Sequence, residues 1–193
     1  MSEQRKRIGG AVLLLILGLF QVTPALARSD DLIQREIEVQ IADSTMLRGT
    51  RIEIHVTQRL AVLTGEVWLY EQILLADRIA WTTPGVFEVD NEIRVVPKLP
   101  VSDAVIEWRI REIVNADERF RAARVVIRVN NGKVFLAGDF LSFRDPSMLK
   151  HKVAAIEGVV HIEIIAAFIA RSSGNEAGAG VESKLIMNHE PHI

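Results

Sequence analysis

The chain of 193 residues contains no cysteine. Disulfides are therefore excluded, even in a compartment that would permit them. Lipid attachment at an export cleavage site is excluded too, because it needs a cysteine there. The uncharged apolar run at residues 8–20 has 13 residues, short of the roughly 20 that a membrane-spanning helix needs. Positive charge is not in excess: 23 basic side chains face 25 acidic ones, for a net charge of −2. A general nucleic-acid binder normally carries a basic face, so no nucleic-acid partner is expected. There is no glycine-rich phosphate loop before a helix; Gly132-Lys133 and Gly138 fall in a hairpin. Carboxylates are scattered, and no pair can be nominated for acid–base work. His161 and Glu163 alternate along one strand without further ligands, and His189 and His192 lie in a tail with no third ligand, so no metal or cofactor is expected. Ser147 and Lys150 match the S-x-x-K nucleophile motif, but the accompanying S-D-N and K-T-G are missing and the chain is too short for that fold. These absences point to a binding protein rather than an enzyme.

The N-terminus has the layout of an export signal. Arg5, Lys6 and Arg7 precede the apolar run, and Ala25-Leu26-Ala27 offers a small-x-small cleavage site. Cleavage after Ala27 would leave 20 basic and 24 acidic residues, a net charge of −4, on a protein free in the periplasm, or secreted if the cell has one membrane.

What is present is a repeat. Sliding the sequence along itself by 73 residues superposes twelve identities without a gap. Ser29-Asp30 falls on Ser102-Asp103, Ile33 and Ile37 on Ile106 and Ile110, and Arg48 and Arg51 on Arg121 and Arg124. Ile54 and Val56 fall on Ile127 and Val129, Leu63-x-Gly65 on Leu136-x-Gly138, and Gly85-Val86 on Gly158-Val159.

Each copy reads as helix, strand, strand, helix, strand. Ile33, Ile37 and Ile41, like Ile106, Ile110 and Val114, recur on one helical face. The preceding Ser-Asp pairs stand where an N-cap belongs. Ile52, Ile54 and Val56, with their partners Val125, Ile127 and Val129, alternate as in a half-buried strand. A hairpin turn follows, plainest at Asn131-Gly132. Gly65 and Gly138 inside the returning strand suggest a bulge or a close approach by the helix. A second helix is predicted at residues 71–83 and 146–156, and a last strand at 86–96 and 159–169. Gly85 and Gly158 between them sit where positive φ ends a helix. Pro97-Lys98-Leu99-Pro100 makes a short, stiff linker. The boundaries are then a signal peptide at 1–27, a first module at 28–97, a linker at 98–101, a second module at 102–170 and a disordered tail at 171–193.

This layout resembles the BON domain family (bacterial OsmY and nodulation): an Asp-led helix, a V-x-V strand, a turn, an L-x-G strand, a second helix, then Gly-Val and a closing strand. The resemblance covers residues 29–170. The first copy departs from it at the turn, where Gln58-Arg59 replaces Asn-Gly, and only the first copy keeps a polar residue, Asn91, at the family's polar position in the last strand; the second has Ile164. The resemblance implies an α+β fold of two tandem αββαβ modules, helices on one face of a three-stranded sheet. It also implies a periplasmic location, phospholipid or membrane-surface binding, and a role in envelope integrity under osmotic stress, as in paired-domain members of the osmotically inducible OsmY kind.

Residues 30–97 carry six basic and 12 acidic side chains, and residues 103–169 ten and nine. The second copy is thus the better candidate for anionic phospholipid. Trp108 falls roughly opposite the apolar stripe of its helix, beside Arg111. It reads either as a lipid-contacting wedge or as a side chain packed on the linker or the other copy. Lys150, His151 and Lys152, with Arg144 nearby, read as a phosphate-binding cluster or as a solvated helix face. Leu74 and Trp81 lie on one side of the first copy's second helix, as the interface between copies or as a patch for an envelope protein.

Overall fold

The computed structural model describes residues 28–169 and 187–188. The expected signal peptide lies outside the described residues, as do His189, His192 and residues 170–186 of the expected tail. The first module runs α1 (Asp30–Asp43), β1 (Arg51–Thr57), β2 (Leu60–Val67), α2 (Tyr70–Thr82), β3 (Glu88–Asn91) and β4 (Arg94–Val95). The second runs α3 (Asp103–Ala116), α4 (Glu118–Ala122), β5 (Val126–Asn130), β6 (Lys133–Phe140), α5 (Asp145–Ala154) and β7 (His161–Phe168), and β8 (Met187–Asn188) follows. In each module an antiparallel hairpin supplies the first two strands, and the last strand pairs parallel to the second. The fold is the tandem α+β arrangement expected from the repeat.

The hydrophobic periodicity explains the layers. Ile33, Ile37 and Ile41 of α1 are buried, as are Ile106, Ile110 and Val114 of α3. They meet the inward residues of the middle strands: Ala61, Leu63 and Val67 in one module, Val134, Leu136 and Phe140 in the other. Leu47 and Phe120 occupy equivalent places in the repeat and are both buried, at 2% and 0% exposure. The helix α4 that carries Phe120 was not foreseen from the sequence. Asp117 caps it by accepting a hydrogen bond from the Arg119 N–H at 3.1 Å.

The Ser-Asp pairs act differently from the N-cap expectation. Ser29 and Ser102 hold the N-cap positions, but neither side chain accepts a capping hydrogen bond. The next residue reaches across to the hairpin instead. Asp103 accepts from the backbone N–H groups of Asn131 and Gly132 at 2.7 and 2.8 Å. Asp30 accepts from Gln58 and Arg59 at 2.7 and 3.1 Å. Both turns have the same geometry, with positive φ at Gln58 (50°) and Arg59 (68°) as at Asn131 (50°) and Gly132 (73°). The departure at Gln58-Arg59 therefore leaves the hairpin intact, and the carboxylate latch holds two side-chain-bearing residues in a left-handed conformation that disfavours them.

The glycines within the strands are approached by backbone, that of β1 at Gly65 and that of the α4 C-cap residue at Gly138. A Cβ on Gly65 (φ +123°) would stand 1.9 Å from the Arg51 carbonyl oxygen on β1. At Gly138 the neighbour is the Ala123 carbonyl oxygen, 3.0 Å away, which also accepts the Asp139 N–H.

The third strands differ between the modules. In the first it breaks after Asn91, whose side-chain oxygen accepts the Ile93 N–H at 3.2 Å while Ile93 turns into the core at 6% exposure. Ile164 has no such group, and β7 pairs with β6 without interruption over eight residues. Two residues of the segment expected to be structureless, Met187 and Asn188, pair antiparallel with β7 at Ala166 and Ile165.

Candidate functional site

The modules meet along α2. Tyr70, Ile73, Leu74 and Asp77 recur at helical spacing, so they share one face. Tyr70, 8% exposed, belongs to the second module's hydrophobic cluster, and Ile73 and Leu74 pack against it. Its ring meets His161 edge to face, with centroids 6.0 Å apart. Burial raises the Tyr70 pKa. The same burial, then Lys150 and Lys133, lowers that of His161 against the opposing pull of Glu163. One turn further along α2, the Arg78 guanidinium lies 3.2 Å from His151 Nε2. Arg78 can only donate, so this ring nitrogen is the acceptor.

This interface separates the two residues of the expected apolar patch. Leu74 is half-buried against the second module. Trp81, at the end of α2, is 52% exposed. Tyr70 was missed as an interface anchor. Its signal was its spacing from Leu74, at i and i+4.

The basic residues of the second module also do not form one cluster. Lys150 and His151 face the first module. Burial lowers the Lys150 pKa, opposed by the Asp77 carboxylate of α2. Lys152 is exposed and lies on the side of Asp117, whose carboxyl is held down at about 2, chiefly by Arg119. Arg144 is exposed at the other end of α5, at its N-cap position. Four side chains within nine residues of sequence thus point three ways, because consecutive helix positions are about 100° apart.

Trp108 and Arg111 are where the helical wheel put them. Trp108 is 60% exposed on the outer side of α3 and is not among the side chains packed on either hydrophobic core. Val105, one turn earlier, is 41% exposed, and Arg109 stands beside it in solvent. Arg111 is paired with Glu107 on the same helix. The equivalent of Trp108 in the first module is Arg35. The outer face of α3 therefore presents a wide aromatic ring with Arg109, the Glu107-paired Arg111 and the exposed Glu112 around it.

A second exposed apolar group was not read from the sequence. Leu141 (50% exposed), Phe143 (67%) and Ile169 (51%) gather where β6 enters α5 and β7 ends. Among the described residues no group of three or more His, Cys, Asp or Glu could hold a metal ion. No described helix is long and apolar enough to cross a membrane.

A model of the BON domain matches residues 29–97 and 102–164. No curated protein matches the chain. Among solved structures, the chain is similar to the C-terminal domain of CdsD, the structural protein of the type III secretion system of Chlamydia trachomatis. Identity is 14% over 74% of this chain and 68% of that one, with a TM-score of 0.32. A second CdsD structure matches at 13% identity over 74% of this chain and 64% of that one, with a TM-score of 0.30.

Proposed function

The chain belongs to the BON domain family, with two BON domains in tandem, and from that premise we propose that it is an exported periplasmic protein that adsorbs to anionic phospholipid surfaces. It contributes to envelope integrity, under osmotic stress among other conditions, by binding rather than by chemistry. The contact is the outer face of α3 in the second module. The observation that carries this reading is the exposure of Trp108, at 60%, on a helix whose inner residues Ile106 and Ile110 are fully buried. A tryptophan ring is at its best half-buried at a membrane interface with its N–H still wet. Arg109, Arg144 and Lys152 on the same module are exposed, and each basic residue near an anionic surface adds about 1 kcal/mol of attraction. The first module, with its six basic and 12 acidic residues, is repelled by the same surface.

Vesicle flotation of the processed protein tests this. Recovery should be higher with phosphatidylglycerol-containing vesicles than with neutral ones. Burying about 100 Å² of the indole stabilises the bound state by roughly 2 kcal/mol, so Trp108→Ala should weaken it more than tenfold. Equal recovery on both vesicle types, unchanged by the substitution, removes the reading. A second reading, docking of an envelope protein without lipid, is favoured by Trp81 and Phe87, which are 52% and 78% exposed on the acidic module. It predicts a stoichiometric protein partner that is lost in Trp81→Ala and indifferent to vesicles.

A further inference from the structure

We propose that Leu141, Phe143 and Ile169 form a second membrane element, a wedge at the tip of the second module that enters an anionic bilayer interface beside Arg144. The proposal rests on the lipid-binding reading and names a contact separate from α3. Three large apolar side chains, each at least 50% exposed, lie at one end of the sheet: Phe143 over Phe168, and Leu141 and Ile169 one residue past the Phe140–Phe168 pair. The Phe143 ring lies on Phe168, centroids 4.3 Å apart, and the Ile169 N–H bonds the Phe140 carbonyl at 3.1 Å, so the tip is anchored to β6 and β7. A rigid apolar projection is the shape that inserts shallowly, because little ordering is left to be done on binding.

The same loop in the first module shows what it is for. By the 73-residue offset, Phe143 is the equivalent of Tyr70, and Leu141 of Trp68. Tyr70 is buried against the second module, and Trp68 is covered by the Lys98 ammonium at 3.7 Å from its ring centroid. The loop is thus a contact element in one module, whereas in its copy Phe143 rests on Phe168 of its own module and stays 67% exposed. Tyr70 docks at His161, at the start of β7, whereas Phe143 lies at the end of that strand. Eight residues of strand separate the two points by about 23 Å, so the first module's dock leaves the tip open.

Charge selects the occupant. Arg144 follows Phe143 directly and has no ion-pair partner among the described residues. It lines an open hollow of about 470 Å³ with Arg119, Leu141, Ser142, Met148 and Asp145, the last buried and 3.8 Å from Arg119. An apolar tip with an uncommitted guanidinium at its base suits acyl chains below phosphate headgroups.

The absence of cysteine makes the test direct, because Phe143→Cys places a unique thiol for an environment-sensitive fluorophore. The label should move to a less polar environment on phosphatidylglycerol vesicles. Phe143→Ser should reduce flotation about tenfold, and Arg144→Gln about fivefold. If the unlabelled protein floats but the label does not respond and Phe143→Ser binds normally, the wedge is refuted while the α3 reading stands. If the label responds to rising protein concentration without vesicles, the tip covers a second copy and the proposal is overturned. If the unsubstituted protein does not float, both readings fall together.

Discussion

The carboxylate latch between the first helix and the hairpin makes a quantitative claim. Asp103 accepts two backbone N–H groups across the module, at 2.7 and 2.8 Å. A hydrogen bond to a charged group contributes about 1.5–3 kcal/mol. Water can replace the lost acceptor at this partly exposed site, so the low end applies and Asp103→Ala should cost roughly 2–3 kcal/mol. Asp103→Asn keeps one carbonyl oxygen and should lose about half of that. The first module should be hurt more by Asp30→Ala, because Gln58 and Arg59 carry side chains at positive φ, an arrangement costing on the order of 1 kcal/mol per residue. Replacing them with Asn-Gly in the Asp30→Ala background should recover about 1 kcal/mol, even though the Arg59 bond to the Gly85 carbonyl at 2.8 Å is lost. Urea unfolding gives the energies, and amide hydrogen exchange locates them. Protection should fall at the turn amides of residues 58, 59, 131 and 132. Loss confined to the first turn of α1 or α3 would show that these aspartates act as helix caps and would refute the latch.

Three further outcomes are expected. Gly65→Ala should destabilise by more than about 3 kcal/mol, because its Cβ would overlap the Arg51 carbonyl at 1.9 Å; Gly138→Ala, with 3.0 Å of room and no positive φ, should cost clearly less by the same denaturant assay. Tyr70→Ala should leave both modules folded while raising their independent motion in NMR relaxation; unchanged relaxation would show that Tyr70 does not hold them together. Docking should also weaken in acid. The His161 pKa is lowered in the folded state by burial, then by Lys150 and Lys133 of its own module against Glu163; separation removes the burial that Tyr70 supplies, so the docked form binds fewer protons than the separated one. The stabilisation is intact above the ordinary histidine value of 6.5 and is lost as pH falls below it. His161→Gln should flatten that profile, and a profile unaltered by the substitution would assign the acid sensitivity elsewhere.

Local chemistry made most of the fold legible. Isoleucines every fourth residue, alternation in the strands and positive-φ glycines are constraints a single segment imposes on itself, and the repeat supplied each reading twice. The strand break at Asn91 was within reach too, since its polarity against Ile164 had been noted. What stayed hidden depends on neighbours distant in sequence. The Asp30 carboxylate has a turn 28 residues away as its partner, and no local rule separates that from a cap. The scattering of Lys150, His151 and Lys152 follows from which side of α5 the first module occupies. Phe143 could have been found by asking what its equivalent, Tyr70, does, but the answer required knowing that Tyr70 is buried.

The interface itself carries a specificity argument. Asp77 acts on Lys150, and Arg78 touches His151. By the 73-residue offset each of these pairs joins equivalent positions, as in the self-complementary contact of a two-fold dimer. Two first modules meeting this way would set Asp77 against Asp77 and Arg78 against Arg78. Two second modules would set Lys150 against Lys150. Only the mixed pairing brings opposite charges near one another and sets a donor against an acceptor, so the sequence differences between the copies favour docking within one chain over association between chains. The consequence is a charge swap. Lys150→Asp puts like charges together and should weaken docking by roughly 1–2 kcal/mol, a partly exposed pair being worth about 1 kcal/mol in either sense. Asp77→Lys combined with Lys150→Asp should restore much of it, less whatever the Asn91 bond to Asp77 at 3.3 Å contributes. Relaxation-derived tumbling of the two modules reads the outcome. A double variant no better docked than the single one would mean that apolar packing by Tyr70, Ile73 and Leu74 sets the pairing and that the charges are bystanders.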